Sequence, residues 1–117
     1  MEVGSKGLAE VNLTIPQGCS LDFEVKHTDD EGHPVDHTSS IIKMAFQSKD
    51  GGTTIDLSSC CTGTATGITV IIPASESERM ALGKMLWDLI AETTAGDTIR
   101  IAYGSVSIVD TYALDEA

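Results

Sequence analysis

Apolar side chains return at every second position along much of this chain, and that period leaves few ways to fold it. Cys19, Leu21, Phe23 and Val25 alternate with Ser20, Asp22, Glu24 and Lys26. In an extended strand such alternation sends one set of side chains to a core and the other to water. Ile42, Met44 and Phe46 repeat the pattern, as do Ile68, Val70 and Ile72, then Met85, Trp87 and Leu89. Ile99, Ile101 and Tyr103 begin a last long strand that Val106 and Ile108 continue past Gly104, a glycine expected to mark a bulge or bend. Many of these residues are β-branched, and their stiff χ1 suits a pleated surface.

Turn chemistry falls between the runs. Ile15-Pro16-Gln17-Gly18 separates a first strand, around 11–15, from the second. Asp29 to Pro34 reads as a polar turn or hairpin loop, and Lys49-Asp50-Gly51-Gly52 predicts a tight hairpin because Asp-Gly readily supplies positive φ. Thr62 to Gly67 is expected as a loop of small residues, and Ala95-Gly96-Asp97 closes another hairpin. Punctuation at such short intervals is what an all-β sandwich or barrel produces, and a sandwich of about seven strands is expected.

One segment breaks the period. Residues 75–82 predict a short helix, with Ser75 as N-cap, Glu78 completing a capping box and Gly83 just past the end. About two turns cannot stand alone, so Met80 and Leu82 are expected to pack on one end of the sandwich. The domain is expected to span 10–111, with an N-terminal arm at 1–9 and a C-terminal tail at 112–117.

A chain of 117 residues holds one domain with a conventional core and needs no metal or disulfide to fold. No apolar run approaches the roughly 20 residues of a membrane helix, and the N-terminus has no basic or apolar leader region, so neither a membrane nor secretion is expected. Seven basic residues against 18 acidic ones give a net charge of −11. Such a surface repels phosphate backbones, which argues against nucleic-acid binding.

Candidate chemistry is sparse. His27, His33 and His37 lie among Asp29, Asp30, Glu31 and Asp36, and imidazole with carboxylate is metal-ligand chemistry. Their spacing matches no zinc motif, so they are weak metal candidates and a solvated loop without metal is expected. Were they a site, protonation near neutral pH would gate it. Cys60-Cys61 lacks a CxxC partner and Cys19 is expected on an inward face, so the thiols are read as reduced and structural. No Gly-x-Ser-x-Gly elbow and no phosphate-binding glycine loop occurs. No catalytic residue and no cofactor is therefore assigned. Trp87 could serve a sugar as a stacking platform, but its place in an alternating strand predicts core. Ile71, Leu86 and Ile90 fall on faces opposite the predicted core; they are interface candidates that a partner chain would cover.

From residue 14 onward the order of signals resembles a family of small bacteriophage virion proteins of immunoglobulin-like fold, found among tail and baseplate proteins. Ile15-Pro16-Gln17-Gly18 and Leu21 to Val25 match its opening turn and strand, and Asp30 to Thr38 matches its acidic Gly-x-Pro-Val/Ile-Asp-x-Thr passage. Gly67-Ile68-Thr69-Val70, the segment Ser75 to Leu82, Trp87-Asp88-Leu89 and Gly104 to Val109 stand where the family has a Gly-x-Ile-Thr strand, a Ser/Thr-initiated helix, an aromatic-Asp-Leu strand and a final Gly-x-Val-x-Ile/Val strand. The likeness covers roughly 95 residues. The family usually carries an arginine-rich third strand and leucine-proline-glycine after the helix; here Lys43 stands alone and Leu82-Gly83-Lys84 follows.

The resemblance implies an immunoglobulin-like β-sandwich with one short helix that serves in a tail, baseplate or neck. It implies no catalysis. Its partners would be other virion proteins, with copies of the chain joined as a homo-oligomer in a virion assembled in the host cytoplasm. Two other roles fit such a fold: capsid decoration as a cement protein, and a carbohydrate- or receptor-binding module. The latter needs an exposed aromatic cluster, which five aromatic residues hardly supply.

Overall fold

The alternating runs pair into two stacked sheets in the computed structural model, which describes residues 2–4 and 9–111. The strands are β1 (Glu2–Val3), β2 (Ala9–Glu10), β3 (Leu13–Pro16), β4 (Leu21–His27), β5 (Ile41–Gln47), β6 (Thr54–Asp56), β7 (Cys61–Thr64), β8 (Gly67–Ile72), β9 (Gly83–Glu92) and β10 (Thr98–Val109), with helix α1 (Ala74–Ser77) between β8 and β9. One sheet has the order β1-β4-β8-β7; the other runs β2-β10-β9-β5-β6, with β3 also on β10. The fold is an all-β sandwich, as the period predicts. Its strand number exceeds the expected seven because several strands have only two to four residues.

The core lies between the sheets and is mainly aliphatic. Val25, Ile68, Val70 and Ile72 from one sheet face Met44, Phe46, Leu89 and Val106 from the other, all essentially inaccessible to water. Trp87 sits among them, as expected, 2% exposed and edge-on to Phe23 with ring centroids 6.1 Å apart. Its indole N–H donates to the Val11 carbonyl at 2.8 Å, so burying the ring leaves no donor unpaired.

That carbonyl explains Gly104. A Cβ there would stand 2.0 Å from Val11 O, so only glycine lets the N-terminal segment close on β10. β2 and β3 both pair parallel with β10, and between them Asn12 Oδ1 accepts from the Ser105 N–H and hydroxyl. The bulge expected at Gly104 lies instead between Arg100 and Ala102, where the pairing with β9 slips by one residue. The slip turns Ile101 and Ala102 both inward, buried side by side.

Three other expectations need correction. Part of the segment read as an N-terminal arm belongs to the sandwich: β1 pairs parallel with the end of β4 and buries Val3, while β2 joins the second sheet. Residues 5–8 of that segment and the tail at 112–117 lie outside the described residues. The small-residue loop at 62–67 is largely a hairpin of β7 and β8. Weak strand formers are held there by close packing, since a Cβ on Gly63 would meet His37 O at 1.9 Å and one on Gly67 would meet Val25 O at 1.9 Å.

The helix is shorter than 75–82 and is capped differently. Pro73, extended at φ −71° and ψ 157°, is the N-cap, no side chain caps it, and Glu78 is already the C-cap. The Pro73 carbonyl accepts from the N–H groups of Glu76 and Ser77. The helix stops so that Met80 can turn into the core, while Leu82 stays 54% exposed and does not pack as expected. Gly83, expected just past a helix end, opens β9 at φ 128°.

Candidate functional site

Among the described residues, the buried polar side chains gather at the two ends of strand β4. At the far end, two of the three candidate histidines meet. His27, on the inward face at the end of β4, is 1% exposed, and His37, in the following loop, is fully buried. Their rings stack with centroids 5.1 Å apart and an interplanar angle of 12°, and His27 Nδ1 lies 2.8 Å from His37 Nε2. One proton can occupy that contact, so two neutral rings fit it and two fully protonated rings do not. His37 Nδ1 lies 2.9 Å from Ser40 Oγ.

The backbone ties this pair to its surroundings. His27 N–H donates to Thr66 O, His37 N–H to Thr64 O and Val35 N–H to His27 O. Burial and the neighbouring His27 ring push the His37 pKa below its ordinary value, and the Asp36 carboxylate opposes this only in part. The solvated-loop expectation is thus wrong for His27 and His37. The alternation of Cys19, Leu21, Phe23 and Val25, carried one step further than it was read, reaches His27 on the inward face of β4, but it gives no signal for His37, which follows ten residues later through an irregular loop.

His33 stands apart. Its side chain is 70% exposed, 3.7 Å from Asp29 and 3.5 Å from Glu31 across the turn. Asp29 is held below the usual carboxylate range because its Oδ1 accepts the N–H groups of His33 and Glu31. The three histidines therefore do not converge, and among the described residues no group of three potential ligands is close enough to hold a metal ion.

At the near end of β4 the organising group is Ser77, which sequence reasoning passed over in favour of Ser75. Ser77 is fully buried; its hydroxyl donates to Cys19 O at 2.6 Å and accepts from Gly18 N–H at 3.1 Å. Gln17 Nε2 donates to Met80 O at 2.7 Å beside it. This cluster fastens the helix to the β3–β4 turn. Its hydrogen bonds go to backbone groups of the chain itself.

The cysteines stay free thiols. Cys61 is packed against Met44 and Leu57, with Sγ 3.7 Å from the Met44 sulfur. Burial first, then neighbouring Cys60 and Asp56, push its pKa up to about 12, the opposite of an activated nucleophile.

The interface candidates divide between two surfaces. Ile71, 54% exposed, is on the outer face of the first sheet, opposite Asp22 in the register. Leu86, 46% exposed, and the half-buried Ile90 are on the outer face of the second. On that second face, two shallow depressions of about 200 and 320 Å³ share Ala45, Thr54 and Asp88 in their lining. Ala45 was not singled out by sequence, because an alanine opposite a core strand carries no pattern of its own.

No protein-family description matches this sequence, and no curated protein matches it. The fold is similar to the N-terminal domain of phage TP901-1 ORF48, with a TM-score of 0.51 over 94% of this chain and 95% of that one, at 12% sequence identity.

Proposed function

We propose that this chain is a non-enzymatic structural component of a bacteriophage particle, of the immunoglobulin-like kind, placed in the tail, baseplate or neck. It acts through contacts with other virion proteins and with copies of itself, in a virion assembled in the host cytoplasm. The observation that carries this reading is agreement between two independent comparisons. The order of turn and strand motifs resembles phage virion proteins, and the folded chain is like a phage domain along nearly its whole length. Fold alone does not fix function, so the motif order matters here.

The chemistry of the interior supports the same reading. The buried imidazoles are engaged with one another and with the Ser40 hydroxyl, and the buried Ser77 hydroxyl is engaged with the backbone of Gly18 and Cys19. Trp87, the one tryptophan, is enclosed in the core with its N–H satisfied, so it offers no face to a sugar. What the surface offers is exposed aliphatic side chains on regular strands, the material of protein contacts.

The test is location. Purified particles should contain the chain in multiple copies by mass spectrometry, and antibody labelling in electron micrographs should mark the tail, baseplate or neck. Labelling across the capsid surface would favour decoration instead. Absence from purified particles would overturn the reading.

A further inference from the structure

We propose that the outer face of the β10-β9-β5-β6 sheet is a self-contact surface, occupied by the same face of a second copy of this chain. This deepens the reading above and rests on it only for its biological setting. The observation is the distribution of charge. Register and alternation place Lys43, Lys84 and Arg100 on this face together with Glu10, Asp56, Asp88 and Glu92. Three positive against four negative charges give the face −1, while the rest of the chain carries −10 of the total −11.

The opposite signs are interleaved. Lys43 Nζ lies 2.9 Å from Glu92, Arg100 lies 3.7 Å from Asp88, and the Arg100 guanidinium sits 4.6 Å over the Tyr103 ring. A strongly basic or acidic partner gains little from such a face. A copy turned by a two-fold axis meets the same alternation of signs and can match it. Elsewhere two copies repel each other, so this face is where they can approach.

Shape points the same way. Leu86 projects from β9, and the depression floored by Ala45 lies beside it on β5. A projection and a hollow next to each other on one surface are what an isologous contact requires, each copy filling the other's hollow. The apolar stems of Lys43 and Arg100 flank Ile90 in the register and extend the dry area. The contact is small. The four strands, about 4.8 Å apart, span roughly 14 Å between the outer two, and the seven residues of β5 at about 3.3 Å each run roughly 23 Å, a footprint below the roughly 800 Å² per partner of a standard interface. The dimer is therefore weak in isolation and is reinforced when other contacts hold copies close together.

Sedimentation velocity of the full chain across concentration and salt, paired with amide chemical shifts followed over the same concentrations, tests this. Reversible dimerisation should strengthen as salt screens the −10 outside the contact, with shifts confined to β5, β6, β9 and β10. Leu86→Glu should weaken it by about tenfold or more, and Ile71→Glu, on the other sheet, should leave it unchanged. The wild-type shifts need no variant, so they decide the matter even if Leu86→Glu folds poorly. A monomer at every salt and concentration without concentration-dependent shifts would overturn the proposal. So would a dimer that Ile71→Glu abolishes and Leu86→Glu spares. A chain that fails here but is found in purified particles would leave the particle role standing and remove only the self-contact.

Discussion

The two ends of strand β4 close the sandwich with different chemistry. At the Ser77 end a neutral hydroxyl takes up a backbone N–H and a backbone carbonyl from the β3–β4 turn. At the His27 end two stacked imidazoles take up one another. Both arrangements satisfy buried polar atoms, which is the condition for burying them at all. The difference is in what pH does to each. A serine hydroxyl has no proton to gain in the ordinary range, whereas an imidazole does. One end is fixed chemically, and at the other burial and the neighbouring ring disfavour a charge on His37.

The scale for that comparison comes from the middle of the molecule. Trp87→Ala should destabilise by about 3–5 kcal/mol, since it empties the largest side-chain site and leaves the Val11 carbonyl without its indole partner. Native tryptophan emission should be blue-shifted and resistant to iodide. A red, readily quenched maximum would place the ring at the surface and revive sugar stacking.

At the His27 end, His37→Ala should cost about 2–4 kcal/mol, because it opens a cavity and strips His27 of its ring partner. The wild-type protein should also lose stability as pH falls. The His37 pKa is depressed in the folded state, so between that value and the ordinary histidine value near 6.5 the unfolded chain binds more protons. Unfolding free energy therefore rises with pH through that window; the stability is fully present above it and lost as pH falls through it. Urea midpoints at pH 7.5 and 5.5, for wild type and His37→Ala, would show the pH effect shrinking in the variant. Equal wild-type midpoints at both pH values would break the contrast between the two ends.

At the Ser77 end the effects should be smaller and independent of pH across that range. Ser77→Ala should cost about 1–3 kcal/mol by leaving Gly18 N–H and Cys19 O without their partner. Ser75→Ala should stay within about 0.5 kcal/mol, because the Ser75 side chain is exposed and caps nothing. Equal losses from the two serines would restore the capping box that the sequence suggests.

The sequence by itself determined the alternation, and with it the class of fold, most strand positions and the inward set that includes Met44, Phe46, Val70, Trp87 and Leu89. These follow from side-chain order within one strand, which needs no knowledge of the partner strand. It also placed the turns at Asp50-Gly51 and Gly96, where positive φ is local chemistry. Tertiary structure alone decided everything that depends on two segments distant in the chain. Ser75 has the better capping signature, yet Ser77 does the work because Cys19 and Gly18 arrive beside it. Gly104 is read locally as a bulge, yet it serves the approach of Val11. His37 looks like loop from its neighbours, and only the return of the chain onto β4 stacks it on His27 and removes both rings from water. Periodicity reports which face a residue takes; which atom waits on that face is set by non-local packing.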